Sequence, residues 1–227
     1  MATNFSGKTR LESDLIGELQ VPVEALYGVQ TLRGIENFPI SRFHLSDYPL
    51  FINGLAMTKL GAAEANHQLG LLTDEQFDAI SKACLEIMQG QHHDQFPCDM
   101  IQGGAGTTTN MNANEVIANR AIEILGGTKG DYTIVHPNDH VNCGQSTNDA
   151  YPSAGKLATI RLLEKEIVTL KRLEAALEDC AKRFKHVVKM GRTEMQDAVP
   201  IRLGQEFGAY RCAVKRDIKR FDLAMEE

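Results

Sequence analysis

The most constraining feature of the sequence is a long stretch without helix-breaking residues. Between Pro152 and Met190 there is no further proline and a single glycine, Gly155, and Ala, Leu, Glu, Lys and Arg dominate. These residues favour helix, so residues 153–189 are predicted to form one helix of about 55 Å at 1.5 Å per residue. Its apolar residues recur at close to 3.5 positions and form a stripe that neighbouring helices must cover: Ile160, Leu163, Ile167, Leu170, Leu177, Ala181, Phe184 and Val188. This pattern is typical of a helical bundle.

A second amphipathic helix is predicted after Pro200, running to the end of the sequence. Its apolar residues repeat every three or four positions: Leu203, Phe207, Tyr210, Val214, Ile218, Phe221 and Met225. Two long helices cannot close a bundle core, so we expect further copies of the chain and a continuation of the polypeptide to supply the missing neighbours. The predicted fold is mainly α: an N-terminal helical domain followed by the first helices of an up-down bundle, which is incomplete in this chain.

The N-terminal part is predicted to contain three shorter helices. Residues 1–48 are irregular and can hold a strand or two, and residues 49–69 show a helical apolar face that includes one lysine, Lys59. Thr73 with Gln76 forms a capping-box pattern for a second helix that ends at Gly90. A third helix is expected to open within residues 110–114 and to end at residues 126–127. The loop-rich stretch 126–144 that follows suggests a boundary between domains 1–144 and 145–227.

Composition narrows the class of protein. Lys and Arg total 24 against 30 Asp and Glu, a formal net charge of −6, which argues against a chain that binds nucleic acid or anionic lipid. No apolar run approaches the roughly 18 residues of a membrane helix, and the first residues carry no signal-peptide core. The five cysteines are scattered without a C-x-x-C pair, so neither disulfides nor a zinc site is expected. We therefore expect a cytoplasmic protein.

Three segments are rich in small polar residues: residues 103–114 (GGAGTTTNMNAN), 136–149 (HPNDHVNCGQSTND) and 191–200 (GRTEMQDAVP). Each is placed before a predicted helix, where free backbone N–H groups and the helix dipole attract anions. Helix capping is the simpler explanation for any single segment. Three such segments, each with more donors than one helix end can use, favour an anionic ligand.

Two other kinds of site fit less well. The glycine-rich segment lacks the Gly-Lys-Ser/Thr of a phosphate loop and the third glycine of a dinucleotide fingerprint, which leaves nucleotide binding a minor alternative. His136 and His140 lie four residues apart beside Asp139, a metal-pair spacing on a helix. Because Pro137 is expected to prevent that helix, a histidine hydrogen-bonded to backbone is favoured over a metal ligand.

The polar segments resemble the aspartase/fumarase superfamily. The resemblance rests on residues 11–41 (LESDLIGELQVPVEALYGVQTLRGIENFPIS), 101–121 (IQGGAGTTTNMNANEVIANRA), 129–152 (KGDYTIVHPNDHVNCGQSTNDAYP) and 190–207 (MGRTEMQDAVPIRLGQEF). The GAGT of residues 104–107, the YGVQTLR of residues 27–33 and Glu194, where the hydratases carry His, are similar to the ammonia-lyase branch. A fumarate hydratase is the alternative, and a non-catalytic helical oligomerisation module is another.

The resemblance implies an L-aspartase-like fold and the reversible elimination of ammonia from L-aspartate to give fumarate, without an organic cofactor; no residue is assigned as a metal ligand. It assigns stabilisation of the doubly charged aci-carboxylate and binding of the substrate carboxylate and amine to five residues: Ser146, Thr147, Asn148, Thr107 and Thr193. Four further residues are expected nearby: Arg33 as a source of positive charge, Glu194 as a contact of the substrate ammonium, and His136 with Asn138 as a secondary anion site.

One diagnostic segment of the family does not occur in the 227 residues. The mobile glycine–serine loop that carries the serine base is absent, so no catalytic base is assigned in this chain. Family chains are about twice as long, and four of them pack their long helices into one bundle. The expectation is a homotetrameric family in which these residues hold roughly half of a composite site and do not turn over aspartate by themselves.

Overall fold

A computed structural model describes residues 5–226 of the chain. Its elements, in chain order, are β1 (Thr9–Ser13), β2 (Glu18–Pro22), α1 (Val29–Asn37), α2 (Pro49–Gln68), α3 (Asp74–Met88), α4 (Thr107–Ile124), α5 (Thr147–Arg183), β3 (Val188–Thr193), β4 (Gln196–Arg202) and α6 (Leu203–Glu226). Three short turns, Leu45–Asp47, His93–Gln95 and Pro137–Val141, separate some of them. The prediction of a mainly α fold is confirmed. None of the described helices is long and apolar enough to cross a membrane.

The chain forms two compact units, Met1–Ala158 and Thr159–Glu227. The division falls inside α5, so the first turns of this helix belong to the first unit and the remainder to the second. The boundary proposed from loop composition, between residues 144 and 145, precedes this helix and stays a prediction. The two units are described separately below.

The core of the first unit lies between α2, α3 and α4, with α3 packed against both other helices. Ile52 and Leu55 of α2, Ile80 of α3 and Ile117 of α4 are fully buried. The predictions of α2 and α3 are confirmed. Thr73 caps α3 by accepting a hydrogen bond from the Gln76 N–H, and the Gln76 side chain reaches back to the Thr73 N–H.

The N-terminal residues contain more structure than expected. β1 and β2 form an antiparallel hairpin, with Thr9 opposite Pro22 and Ser13 opposite Glu18, which agrees with the predicted strand or two. Helix α1 was not predicted. Gly28 at its start offers no side-chain cap, so the sequence around it carries little of the usual signal for a helix start.

Two helices begin earlier than predicted. The start of α4 is Thr107 and not residues 110–114, because Gly106, at φ 86°, turns the chain into the helix just before it. α5 begins at Thr147 and includes Pro152 near its N-terminus, where a missing N–H removes only one early hydrogen bond. It ends at Arg183, short of the predicted residue 189, because the chain then enters β3.

The second unit contains a β-hairpin that was not predicted. β3 and β4 pair antiparallel, with Val188 opposite Arg202 and Thr193 opposite Gln196, and the register shifts at Gly191. The interpretation of residues 191–200 as a polar loop before a helix is wrong, because they form this hairpin. α6 then starts at Leu203, which confirms the predicted helix after Pro200.

Much of the apolar surface of the long helices is exposed within the second unit. Phe184 of α5 stacks on Phe207 of α6 with ring centroids 5.7 Å apart, and Ile167 and Ile218 are buried. Several large apolar side chains of this unit remain in solvent: Leu162, Val168, Leu173, Val188, Met195, Val199, Tyr210 and Leu223. Apolar patches of this kind favour association with another chain.

Candidate functional site

The N-terminal turns of α4 and α5 lie side by side in the first unit. The Asn110 Nδ2 of α4 donates a hydrogen bond to the Thr147 Oγ1 at the start of α5, at 3.2 Å. Gly106, just before α4, packs so closely on the Tyr151 ring of α5 that a β-carbon there would collide with it. Two of the three polar segments singled out from the sequence therefore meet at one place.

The paired helix starts present several hydrogen-bond donors to solvent. Thr107 is exposed and, within residues 5–226, its side chain has no hydrogen-bond partner. Ser146 precedes α5, and its Oγ accepts a hydrogen bond from the Asn148 N–H at 3.2 Å, so it caps the helix while its hydroxyl proton remains able to donate. The Asn148 side chain is exposed. Two helix dipoles and these donors together suit an anion.

A buried hydrogen-bond network lies beneath these donors. The Lys59 Nζ donates to the Asn142 Oδ1 at 2.8 Å and to the Gln145 Oε1 at 2.9 Å. The same Asn142 oxygen accepts from the Asn110 Nδ2 at 3.0 Å, and that amide also reaches Thr147. Sequence reasoning missed this network, although a lysine in an apolar helix face was a visible signal for it.

Lys59 is an unusual residue for a protein core. Its side chain is 1% exposed, and burial, which disfavours the charged ammonium, lowers its pKa from 10.5 to about 7. The Cys84 thiol lies nearby, and burial raises the pKa of that thiol to about 12. Within the described residues no carboxylate forms an ion pair with Lys59, so its acceptors are amide oxygens.

Thr193 and Glu194 belong to the second unit. Thr193 ends β3, and Glu194 with Met195 forms the two-residue turn of the hairpin, at φ 51° and 64°. All three side chains are exposed. Two successive positive φ angles match the turn that suits a right-twisted hairpin, but for non-glycine residues they are strained.

Arg33 forms a salt bridge with Asp14. Its Nε donates to the Asp14 Oδ2 at 2.9 Å and its Nη2 to the Gly17 carbonyl at 3.0 Å. The hydrogen bond from Arg33 is the main cause that lowers the pKa of Asp14. Both residues line a cavity of about 400 Å³ that includes Thr108, next to Thr107. The positive charge expected from Arg33 is therefore partly neutralised by the Asp14 carboxylate.

His136 caps a short π-helical turn, Pro137–Val141, and His140 lies within it. No helix carries both histidines, as predicted from Pro137: His136 has extended backbone, and Pro137 takes the first position of the turn, where no N–H is needed. The His136 Nδ1 accepts the N–H groups of Asn138 and Asp139, each at 3.1 Å. The backbone-bonded histidine predicted from the sequence is what the structure contains.

A cavity of about 500 Å³ adjoins His136 and Asn138 and is also lined by Asp14 and Glu115. Glu115 is buried in α4 and accepts the N–H groups of Gly28, Gln30 and Thr31 at 2.9–3.0 Å. Burial raises the pKa of Glu115 against these hydrogen bonds, which lower it. Glu115 thereby caps α1 from a distant helix, a role that local sequence does not reveal.

Comparison with known proteins identifies the family. Residues 17–227 match a family described as lyase. Aspartate ammonia-lyase of Helicobacter pylori is 54% identical over 211 residues, which cover 93% of this chain and 45% of that protein. Class II fumarate hydratase of Halobacterium salinarum is 52% identical over 214 residues, covering 94% of this chain and 45% of that protein.

Solved structures give the same answer. The crystal structure of a fumarate lyase:delta crystallin from Brucella melitensis in native form matches with a TM-score of 0.88 and 48% identity, covering 95% of this chain and 50% of that one. The chain therefore spans about half the length of the relatives it matches. Lyase ancestry and the helical fold follow, whereas the reaction of the whole protein has to be argued from the site.

Proposed function

The chain belongs to the lyase family of the aspartase/fumarase superfamily, and on that premise we propose that its residues serve an aspartate ammonia-lyase, which eliminates ammonia from L-aspartate to give fumarate, and that they do not turn over aspartate by themselves. The observation that carries the proposal is the pairing of two helix N-termini, at Thr107 and Thr147, with hydroxyl and amide donors beside each other. The ligand suited to such a site is a small dianion.

The reaction explains why donors are needed. The proton at Cβ of aspartate is weakly acidic, and its removal places a second negative charge on the neighbouring carboxylate. Donors aimed at that carboxylate stabilise the charge as it develops. We assign this role to Ser146, Thr147 and Asn148, and binding of the other substrate groups to Thr107 and Thr193. The serine base is proposed to come from outside these residues.

A second candidate function is hydration of fumarate, because one of the relatives reported above is a fumarate hydratase. The ammonia-lyase is favoured by GAGT at residues 104–107 and by Glu194. The test is absorbance of fumarate at 240 nm, with the complete natural gene product and either L-aspartate or L-malate. Turnover of aspartate alone supports the proposal, turnover of malate alone supports the hydratase, and turnover of neither contradicts both.

Glu194 is proposed to contact the substrate ammonium. An ionised carboxylate about 6 Å from a carboxylate of the ligand costs roughly 3 kcal/mol at an effective dielectric of about 20, so Glu194 must be protonated, paired with a cation or amine, or turned away. Pairing with the ammonium is the alternative that we propose. Glu194→Gln should raise KM for aspartate. The control is Asp197→Asn, an exposed acid of the same hairpin, which should leave KM unchanged. An unchanged KM in Glu194→Gln would refute the contact.

A homotetramer is the assembly proposed from the family resemblance. It is supported by the exposed apolar side chains of the second unit, among them Leu162, Val168 and Leu173. Sedimentation equilibrium of the purified protein should give four times the chain mass, and a monomer would contradict the proposal.

A thermal-shift measurement separates the enzyme from the third alternative, a non-catalytic oligomerisation module. Succinate should raise the thermal midpoint if the site binds dianions, and the non-catalytic module would show no such shift.

A further inference from the structure

The buried ammonium of Lys59 is the feature that the proposed function leaves unexplained. A buried charge normally requires a charged partner, because water no longer solvates it. Lys59 instead donates to two neutral amide oxygens, on Asn142 and Gln145. An apolar residue would fill the same core position without that cost. The charge therefore needs an explanation other than packing.

The Lys59 Nζ donates in both of its protonation states, because an ammonium can only donate and the neutral amine keeps two N–H groups for its two acceptors. This sets the direction of the network above it. Asn142 must turn its oxygen toward Lys59. Because that oxygen also faces Asn110, Asn110 must present its Nδ2 there. The second hydrogen of the same Nδ2 then goes to the Thr147 Oγ1. Thr147 accepts from inside the protein, so its own proton is left to donate outward.

One buried atom shows that this orientation is imposed. The Asn110 Oδ1 is buried and has no hydrogen-bond partner within the described residues, which is unfavourable for an acceptor. Rotating the amide would let this oxygen accept the Thr147 proton, but it would then face the Asn142 oxygen that Lys59 holds in place. Without Lys59, both amides could turn and the Thr147 hydroxyl could point inward.

The loop itself has other anchors. The Asn66 Nδ2 donates to the Cys143 carbonyl at 2.9 Å, and the Gln145 Nε2 donates to the Val141 carbonyl at 2.9 Å. Loss of the ammonium therefore leaves the backbone of the loop attached to α2 and to its own turn. The effect of Lys59 on the direction of the hydrogen bonds is separable from its effect on folding.

We propose that Lys59 is a positioning residue for the dianion site: it sets the direction of the Lys59–Asn142–Asn110–Thr147 hydrogen bonds so that the Thr147 hydroxyl donates to the bound carboxylate. This role rests on the proposed function. Lys59 does not touch the ligand and acts through Thr147. Its contribution to binding must therefore disappear when the Thr147 hydroxyl is absent.

A double-mutant cycle in the complete gene product tests this dependence. Lys59→Met removes the ammonium and Thr147→Val removes the hydroxyl at nearly constant volume. Lys59→Met should raise KM for L-aspartate and the inhibition constant of succinate about tenfold, the loss of one hydrogen bond to a charged group. In the Thr147→Val background the same change should alter them less than twofold. An equal loss in both backgrounds would overturn the proposal.

Two controls separate positioning from folding. Ile87→Val, in the buried core of α3 and outside these hydrogen bonds, should leave both constants unchanged although it lowers stability. If Lys59→Met does not fold, Asn142→Leu removes the shared acceptor and should show the same dependence on Thr147. Independence from Thr147 overturns the role here too.

The two proposals can fail separately. A wild-type protein that turns over neither aspartate nor malate and does not bind succinate contradicts the proposed function, and the role of Lys59 falls with it. A wild-type protein that is active, with additive effects of Lys59→Met and Thr147→Val, contradicts the role of Lys59 alone.

Discussion

Replacement of Lys59 should change how the stability of the protein depends on pH. Burial lowers the pKa of Lys59 from 10.5 to about 7 in the folded chain. Below pH 7 the side chain is charged in both the folded and the unfolded states, so the full cost of burying the ammonium is present. Between pH 7 and 10.5 the unfolded chain still binds the proton and the folded chain releases it, so stability rises with pH.

The size of this effect follows from the shift. One pKa unit corresponds to about 1.4 kcal/mol, so the slope approaches that value per pH unit above pH 7. With half of the protons already released at pH 7, the gain between pH 7 and pH 9 is about 2 kcal/mol. Cys84 acts in the opposite direction, because a thiol pKa raised to about 12 lowers stability once the unfolded thiol ionises near pH 9. The effect of Lys59 on stability should therefore be measured only up to pH 9.

The assay compares urea unfolding of the wild type and of Lys59→Met, followed by circular dichroism because the chain has no tryptophan. The difference in unfolding free energy should grow by about 2 kcal/mol in favour of the wild type from pH 7 to pH 9. Lys82→Met, which removes an exposed lysine of α3, is the matched control and should give a constant difference. A constant difference for Lys59→Met as well would refute a lowered pKa at Lys59.

Three further substitutions test local features of the fold. Glu115→Gln should lower the unfolding free energy by about 2 kcal/mol, since an amide NH2 would face the N–H groups that the carboxylate now accepts; amide hydrogen exchange across α1 should rise with it, and unchanged exchange would contradict this role. Gly106→Ala should destabilise by more than 1 kcal/mol and raise KM for aspartate, because φ is 86° and the Tyr151 ring occupies the space; full stability in urea would show that the helix start tolerates a side chain. Met195→Gly should raise the unfolding free energy of the second unit by about 1 kcal/mol, because Met195 has a φ of 64°, which glycine adopts without strain. A lower urea midpoint would refute strain in this turn.

The start of α3 could be predicted from the sequence because its signal lies next to it. Thr73 and Gln76 cap α3 within its own first turn, so the signal is local. α1 has no such residue, and its N–H groups are accepted by Glu12 and Glu115, from a strand and a helix far away in the sequence. Such a cap forms only when the tertiary fold brings the carboxylates there.

The β3–β4 hairpin was missed for a related reason. The usual sequence signal of a two-residue hairpin is Asn-Gly or Asp-Gly, because both central residues need positive φ. Here the turn residues are Glu194 and Met195, and this pair does not indicate a hairpin turn. A turn that keeps strained residues where glycine would be easier suggests that the side chain at its tip is retained for function.

The candidate site also contains some residues that the sequence indicates and others that only the fold brings together. The segments that contain Thr107, Ser146 and Thr147 could be singled out because they hold more donors than a helix cap uses, and the family resemblance assigned the individual residues. The residues proposed to orient the Thr147 hydroxyl could not be predicted, since Lys59 and Asn142 meet only through the fold. Lys59 was visible as a lysine in an apolar helix face, but its acceptors were not.

The distinction between the two candidate reactions has to lie in few residues. Both reactions produce or consume fumarate, so both need donors for a C4 dianion, and the site proposed at the paired starts of α4 and α5 suits either one. What differs is the group that leaves from the neighbouring carbon, an amine or water. The residues that decide the reaction must therefore face that carbon, and Glu194 is the proposed residue of this chain whose charge suits an ammonium. Exchange of Glu194 for His, the residue of the hydratases, should accordingly weaken aspartate binding more than fumarate binding, and equal losses of both would place the discrimination elsewhere.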